Sequence, residues 1–175
     1  RLGMKHRDLK ADDLEDLQQS LLKWFKEHQR KLPWRENYEP YQVWISEIML
    51  QQTQVKTMLP FYRRWMEVLP GIREVAEADE ELLIKLWEGL GYYRRVRNIR
   101  KTAEMICNEY GGQFPEQVAE LLKLKGIGRY TAGAIASIAF NQPAPILDGN
   151  VTRVLCRVRK IEDPPQLGDV GKLLW

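Results

Sequence analysis

Apolar residues recur along most of this chain at the three- and four-residue spacing of an amphipathic helix. Leu14, Leu17 and Leu21 set the pattern near the start, where Asp12 or Asp13 is placed to begin a helix. No segment keeps up the strict apolar–polar alternation of a half-buried strand. The pattern therefore predicts an all-α fold.

Proline and glycine residues divide this helical pattern into separate segments. A loop is predicted over residues 32–40. The predicted helices that follow it cover residues 43–58, 61–68, 78–88, 92–110, 115–122, 129–140 and 149–159. No tandem repeat or low-complexity linker interrupts them, so the chain is predicted to form one helical domain or two small lobes.

Composition alone leaves the function open. Hydrophobic residues make up 44% of the 175 residues, which suffices for a packed core. The net charge of +3 permits nucleic-acid binding without arguing for it. The distribution of charge is more informative, because one predicted helix carries a run of bases without an acid: Arg94, Arg95, Arg97, Arg100 and Lys101.

The cysteines and the apolar runs bear on the compartment. Cys107 and Cys156 form no close pair, so neither a metal knuckle nor a disulfide framework is indicated. No apolar run approaches the length of a membrane span. Residues 2–10 are polar and basic, unlike a secretory leader. We expect a monomeric protein that is intracellular and cytoplasmic, in the nucleoid if it is bacterial.

Residues 121–134 have the pattern of two helices joined by a tight turn. Gly126 and Gly128 allow the turn without a Cβ clash and leave amide groups open at the start of the second helix. The helix dipole there favours an anion such as a DNA phosphate. The alternative is an ordinary helix–helix turn that requires glycine.

Glu47 lies on a helical face whose neighbours one turn away include Val43, Trp44 and Leu50. An apolar environment favours the protonated carboxyl, which can then donate a proton as a general acid. A surface glutamate at the edge of the apolar stripe is the alternative, and periodicity alone favours it.

Asp148 stands between an apolar run and a helix predicted to start at Gly149. An aspartate there is a natural N-cap, and the helix dipole stabilises its charged form. A neutral Glu47 and a charged Asp148 would divide the work of cleaving a glycosidic bond through an oxocarbenium-like state. Their separation in sequence says nothing about the distance between them.

Five segments together carry a resemblance to a known family. They are Leu32-Pro33-Trp34-Arg35, residues 46–53, residues 89–93, the hairpin, and residues 147–151. These segments resemble the adenine DNA glycosylases of the MutY type, within the endonuclease III-like helix-hairpin-helix glycosylase superfamily. The resemblance runs from Leu32 to about Arg159.

The resemblance implies a fold and a domain organisation. The helix-hairpin-helix glycosylase fold has a six-helix barrel lobe and a second helical lobe, with the DNA cleft between them. Residues 1–175 would form one catalytic domain, in which about 40–150 make the six-helix lobe with the hairpin at 121–140. Residues 1–39 and 151–175 would belong to the second lobe, which is incomplete here.

Roles for single residues also follow from the resemblance. Glu47 would protonate the five-membered ring of adenine, and Asp148 would stabilise or trap the sugar cation. Tyr130 and Asn150 match positions that assist them. The substrate-binding positions form the adenine pocket wall, enter the base stack or flank the gap: Arg30, Trp34, Arg35, Leu50, Gln52 and Tyr92.

The hairpin has two implied roles. Gly126, Gly128 and Arg129 match positions that bind a DNA phosphate. The main-chain carbonyls of the turn match a site for a structural cation, either monovalent or calcium. The residues that would supply those carbonyls are Leu122, Leu124 and Ile127.

The chain departs from the family pattern in two ways. The family usually carries four cysteines near the end of this domain, which bind a four-iron, four-sulfur cluster, and residues 1–175 lack them. The C-terminal domain that reads the oxidised guanine is also absent from these residues. Residues 160–175 have the pattern of a helix that has only begun.

The expected function is hydrolysis of the adenine–deoxyribose bond where adenine faces 8-oxoguanine or guanine in double-stranded DNA. A first alternative is a glycosylase with lyase activity, of the endonuclease III type. Such enzymes place a Schiff-base lysine where Tyr130 stands, and tyrosine cannot form an imine. A second alternative is a non-catalytic DNA-binding module that uses the hairpin alone.

Overall fold

A computed structural model of the chain describes residues 10–161. Within these residues, nine α-helices follow one another: α1 (Ala11–His28), α2 (Pro40–Leu50), α3 (Val55–Val68), α4 (Ile72–Glu77), α5 (Glu80–Trp87), α6 (Arg94–Glu109), α7 (Val118–Leu121), α8 (Arg129–Ala134) and α9 (Gly149–Val158). A 3₁₀ turn covers Pro33–Arg35, and a π-helical turn, Ile135–Ala139, extends α8. No strand occurs between residues 10 and 161, which confirms the all-α prediction for that range.

The helices depart from the prediction mainly in three places. The helix predicted over 43–58 is two helices, because α2 ends at Leu50 and α3 begins at Val55. Gln52, between them, has a φ of 59°, a left-handed conformation that no helix interior adopts. Pro60 lies inside α3 instead of preceding it. The pattern also missed α4, whose six residues are too few to show a period.

The chain divides into two compact units. One spans Pro33–Ile146 and contains α2 to α8. The described residues on either side of it, 10–32 and 147–161, belong to the other.

Large aromatic side chains fill the core of the unit Pro33–Ile146. Trp44, Trp65 and Trp87 are fully buried. The Tyr41 hydroxyl donates to the Leu69 carbonyl at 2.6 Å and accepts from the Trp65 indole at 2.9 Å. Burial raises the pKa of Tyr41, so this hydroxyl remains a donor. Around this core α2 packs against α3 and α8, and α6 packs against α4 and α5.

The other unit contributes α1 and α9. The apolar side chains of α1 are largely exposed: Trp24 is 56% accessible and stacks on His28. The apolar face that the spacing of Leu14, Leu17 and Leu21 predicts is thus not buried in this part of the structure. In α9, Cys156 is buried and Val154 is exposed.

The interpretations of residues 2–9 and 162–175 fall outside the described residues. Between residues 10 and 161, no helix combines the length and the apolar character that crossing a membrane would need.

Candidate functional site

The predicted hairpin consists of a short helix, a turn closed by main-chain hydrogen bonds, and a second helix. After α7 ends, the Leu124 amide donates to the Leu121 carbonyl at 3.1 Å, and the Ile127 amide donates to Leu124 at 3.2 Å. Gly126 has a φ of 79°, which explains the glycine at that position. Gly128 is extended and precedes α8, and a Cβ added there would meet open space. The backbone at Gly128 is thus accessible from outside.

Helix α6 contacts this turn through two of its side chains. The buried Thr102 hydroxyl donates a hydrogen bond to the Lys125 carbonyl. Asn98 lies so close to Gly126 that a Cβ at Gly126 would come within 2.9 Å of the Asn98 Cβ. Neither contact has a signal in the local sequence, because Asn98 and Thr102 stand more than twenty residues before the turn.

The turn carbonyls predicted to hold a cation have different environments. Leu124 and Ile127 are buried, whereas Leu122 is 42% exposed. The Leu124 carbonyl already accepts from the Ile127 amide, which leaves its second lone pair for another partner. The cation site stays a prediction.

Gly133, in α8, allows a close backbone crossing. A Cβ on Gly133 would lie 2.4 Å from the Pro145 carbonyl oxygen, closer than real atoms approach. The absence of a side chain at Gly133 lets the backbone at Pro145 lie directly on the helix.

Glu47 lies in the last half of α2, between two buried residues. Ser46 is fully buried and Ile48 is 5% exposed, while Glu47 itself is half-buried. Helix α2 packs against α8, on which Tyr130 is the second residue and is also half-buried. Two of the predicted catalytic residues thus stand on helices that contact each other.

Asp148 is the N-cap of α9. Its Oδ1 accepts a hydrogen bond from the Val151 amide at 2.7 Å, and its Oδ2 accepts one from the Asn150 side chain at 3.2 Å. The Arg153 guanidinium in turn donates to the Asn150 side-chain oxygen. Arg153, which the sequence did not single out, therefore orients Asn150. Glu47 lies in the unit Pro33–Ile146, and Asp148 lies in the other unit.

Gln52 and Tyr92, the predicted inserted side chains, share an unusual backbone. Both have positive φ, 59° and 50°, and both are exposed, Tyr92 by 66%. An open cleft brings the two together. The residues that line it are Gln51, Gln52, Tyr92, Tyr93, Arg94, Arg95 and Asn98.

The basic run on α6 divides into different roles. Arg97 pairs with Glu80 at 3.1 Å, and Arg100 pairs with Glu104 at 3.0 Å. Arg95 is half-buried and binds main-chain carbonyls. Arg94 and Lys101 are exposed. The five charges of this run therefore have different environments.

The predicted adenine-pocket residues differ in accessibility. Trp34 is 5% exposed and meets the Tyr62 ring edge-on, with 5.1 Å between ring centroids. Arg35 and Leu50 are half-buried, and Arg30 is exposed. Their binding roles stay predictions.

An iron–sulfur cluster does not fit the residues present. The 175 residues contain two cysteines, and such a cluster takes four thiolates. Cys107 is half-buried on α6 and Cys156 is buried on α9. Within residues 10–161, no group of three or more His, Cys, Asp or Glu side chains is arranged to hold a metal.

Residues 45–175 match the family described as the HhH-GPD superfamily of base excision DNA repair proteins. The chain belongs to this superfamily. The match includes Glu47, the hairpin and Asp148. The predicted family resemblance is confirmed.

Relatives and solved structures agree with this assignment to the HhH-GPD superfamily. The adenine DNA glycosylase of Rattus norvegicus is 46% identical and covers 93% of this chain and 33% of its own length. That of Homo sapiens is 48% identical and covers 89% of this chain and 30% of its own length. This chain thus spans about a third of the length of these two relatives.

Among solved structures, a trapped endonuclease III–DNA covalent intermediate superposes with a TM-score of 0.74 at 26% identity. The match covers 93% of this chain and 77% of that one. The fold described above is therefore the helix-hairpin-helix glycosylase fold.

Proposed function

We propose that this chain is the catalytic domain of an adenine DNA glycosylase. It hydrolyses the bond between adenine and deoxyribose where adenine is mispaired with 8-oxoguanine or guanine. The observation that carries the proposal is the 46–48% identity to adenine DNA glycosylases over about nine-tenths of the chain.

Glu47 acts as the general acid. It donates a proton to a nitrogen of adenine's five-membered ring, and the base leaves with the electrons of the C1′–N9 bond. The half-buried place of Glu47 between buried residues of α2 supports this role. Tyr130, on the helix packed against α2, assists in the same pocket.

Asp148 acts on the sugar. Loss of the base leaves an oxocarbenium-like cation at C1′, which a carboxylate stabilises until water adds to that carbon. The Asp148 carboxylate accepts hydrogen bonds from the Val151 amide and the Asn150 side chain at the start of α9, which hold it in a defined orientation. Asn150, oriented by Arg153, keeps this carboxylate in place.

The partner is double-stranded DNA. The accessible backbone at Gly126 and Gly128 and the neighbouring Arg129 bind a phosphate, and Gln52 and Tyr92 enter the base stack from the cleft they share. Flipping the adenine out of the duplex costs unstacking energy, which such inserted side chains offset. Trp34, Arg30, Arg35 and Leu50 contribute to the pocket.

An incision assay tests the proposal. Duplexes that carry adenine opposite 8-oxoguanine, guanine or thymine are incubated with the protein and then heated in alkali, which cleaves the strand at an abasic site. Cleavage is expected opposite 8-oxoguanine and guanine and not opposite thymine. If no duplex yields an abasic site although mismatched DNA is bound, the chain is a binding module only.

Lyase activity is the alternative that the endonuclease III likeness favours. It requires an amine that attacks C1′. In the hairpin, Lys125 is the lysine that directly precedes Gly126. The main chain of Lys125 is tied to Thr102 ahead of the turn, whereas Tyr130 holds the position that matches the lyase lysine. Borohydride reduces an imine to a stable protein–DNA link, so trapping at the rate of base release would replace our proposal with the lyase.

A further inference from the structure

Arg95 lies between the two loops that carry Gln52 and Tyr92. The α2–α3 loop comprises residues 51–54, and the α5–α6 loop comprises residues 88–93. The acceptors of the Arg95 guanidinium are main-chain carbonyls from both sides: Ile48, Met49 and Gln51 on one, Leu90 and Gly91 on the other.

Each terminal nitrogen of Arg95 serves one side. Nη1 donates to the carbonyls of Ile48 and Gln51 at 2.8 Å each. Nη2 donates to Leu90 at 3.2 Å and to Gly91 at 3.3 Å. The Ile48 carbonyl belongs to the last turn of α2, where carbonyls lack intrahelical partners and the dipole favours a cation. One planar group therefore connects the end of α2 to the α5–α6 loop.

Aromatic rings hold the guanidinium in this place. The Arg95 Cζ lies 5.2 Å from the centroid of the Trp87 ring and 5.6 Å from that of Tyr92. Trp87 is fully buried, and its indole nitrogen donates to the Gly91 carbonyl at 2.9 Å. The core thus fixes Arg95, and Arg95 contacts Tyr92 directly.

Both loops contain strained backbone that needs such support. Gln52 and Tyr92 adopt the left-handed conformation, which is unfavourable for residues with a side chain and persists only where the surroundings impose it. Gln51 immediately precedes Gln52, and Gly91 immediately precedes Tyr92. Among the described residues, Arg95 is the side chain that donates hydrogen bonds to both of these preceding carbonyls.

We infer that Arg95 is a positioning residue that holds Gln52 and Tyr92 at a fixed separation, so that both enter the base stack together at the mismatch. The inference rests on the proposed function, in which these two side chains are inserted. It gives Arg95 a role distinct from that of a phosphate-binding charge, although it belongs to the same basic run of sequence.

Lysine cannot replace arginine in this role. The guanidinium presents five donors in a rigid plane, whereas an ammonium presents three around one point. A lysine at position 95 can reach one loop and leaves carbonyls of the other without a donor. The variants Arg95→Met and Arg95→Lys therefore test the geometry and the charge separately.

Arg97→Met is the matched control. Arg97 is on the same helix, is exposed and pairs with Glu80, so its replacement removes one charge without contact to either loop.

The first measurement is hydrogen exchange without DNA. The Thr53 amide donates to Leu50 at 3.2 Å and the Leu90 amide donates to Trp87 at 3.0 Å, so each loop has a protected amide. Arg95→Met is expected to accelerate exchange at both amides by about tenfold or more, because a charged hydrogen-bond donor is lost from each side. In Arg95→Met, the hairpin amides such as that of Ile127 are expected to exchange at the wild-type rate. In Arg97→Met, all amides are expected to exchange at the wild-type rate.

The second measurement uses duplexes with 2-aminopurine in place of the mispaired adenine. Its fluorescence rises when the base leaves the stack. Arg95→Met is expected to lower this rise and to cut the preference for mismatched over matched duplex by about tenfold, with matched-duplex binding within about twofold. A structural defect alone would instead lower both affinities in proportion to the unfolded fraction.

Each outcome decides between the possibilities. Wild-type exchange in both loops, or fluorescence and preference equal to wild type, would overturn the inference for Arg95. If Arg95→Met does not fold, Arg95→Lys carries the test, and full protection and preference in that variant would overturn it too. If the wild type itself shows no mismatch preference, the proposed function fails, while the exchange of both loops still reports whether Arg95 connects them.

Discussion

The Thr102 hydroxyl, buried on α6, donates a hydrogen bond to the main-chain carbonyl of Lys125 in the hairpin turn. Arg100, two residues earlier on the same helix, pairs with Glu104, whereas Thr102 supports the hairpin turn. The conformation of the hairpin depends on α6 as well as on its own glycines.

Thr102→Val should loosen the hairpin. Valine has the shape of threonine but leaves the Lys125 carbonyl without its donor, which costs about 1 kcal/mol of stability. We expect a lower urea midpoint and weaker binding of a mismatched duplex. Thr102→Ser keeps the hydroxyl and serves as the control. Equal urea midpoints and affinities for the valine and serine variants would show that the bond is dispensable.

Gly128→Asp should weaken DNA binding without harming the fold. A Cβ at Gly128 meets open space and the backbone is extended, so any side chain fits the free protein. A carboxylate there would face the phosphate and displace it from the amides, which should raise Kd by about tenfold or more at every salt concentration. Gly128→Ala controls for the loss of glycine. If the aspartate variant binds normally, the hairpin is only a turn.

Charge removal on α6 should have unequal effects on the salt dependence of binding. Arg94 is exposed beside the cleft, and Arg94→Gln should flatten the slope of log affinity against log salt by about one unit if it contacts a phosphate. Arg97→Gln should leave the slope unchanged, since Glu80 already pairs with that charge. Titrations between low and moderate salt measure both slopes, and identical slopes for both variants and the wild type would place this face of α6 away from DNA.

Glu47→Gln should stop base excision while binding persists. Glutamine keeps the shape of the side chain but has no acidic proton to give, so single-turnover excision should fall by about 100-fold or more. Mismatch affinity in the same preparation should stay within about twofold of the wild type. Excision close to the wild-type rate would remove Glu47 from the mechanism.

Asp148→Asn separates the cap of α9 from catalysis. Asparagine can accept the bond from the Val151 amide, so the melting temperature should barely change, while excision should collapse because the charge is gone. Asp148→Ala should in addition lose about 1 kcal/mol of stability. Loss of stability in the asparagine variant, with a proportional loss of activity, would mean that Asp148 only caps the helix.

Local signals explain what the sequence could predict. The hairpin was predictable because Gly126 needs a positive φ and Gly128 precedes a helix, both within a few residues. The cap at Asp148 was predictable for the same reason, since its acceptor serves an amide three residues away. The all-helical pattern is likewise a short-range property of the chain.

The break between α2 and α3 was not predictable in this way. The apolar period continues through Val55 and Met58, and neither glycine nor proline marks the loop. The left-handed Gln52 follows a carbonyl that Arg95 binds from 44 residues further along the chain. Such a long-range contact has no signature in a window of residues.

The exposed Trp24 and the divided basic run show the same limit. Periodicity identified an apolar face on α1 but not whether anything covers it. Arg94, Arg95 and Arg97 look alike in sequence, yet their environments differ. Arg94 lines an open cleft, Arg95 binds five main-chain carbonyls, and Arg97 pairs with Glu80. Tertiary partners, not residue type, decide the role.

The crossing of Gly133 and Pro145 limits how this protein can change. Because the Pro145 carbonyl occupies the space of a side chain at position 133, even one methyl group would push away the segment that leads towards Asp148. Substitutions at Gly133 should therefore impair the proposed excision while every residue proposed to touch DNA remains intact. A lineage could accept a larger residue there only if the segment around Pro145 changed with it, so these two positions should vary as a pair.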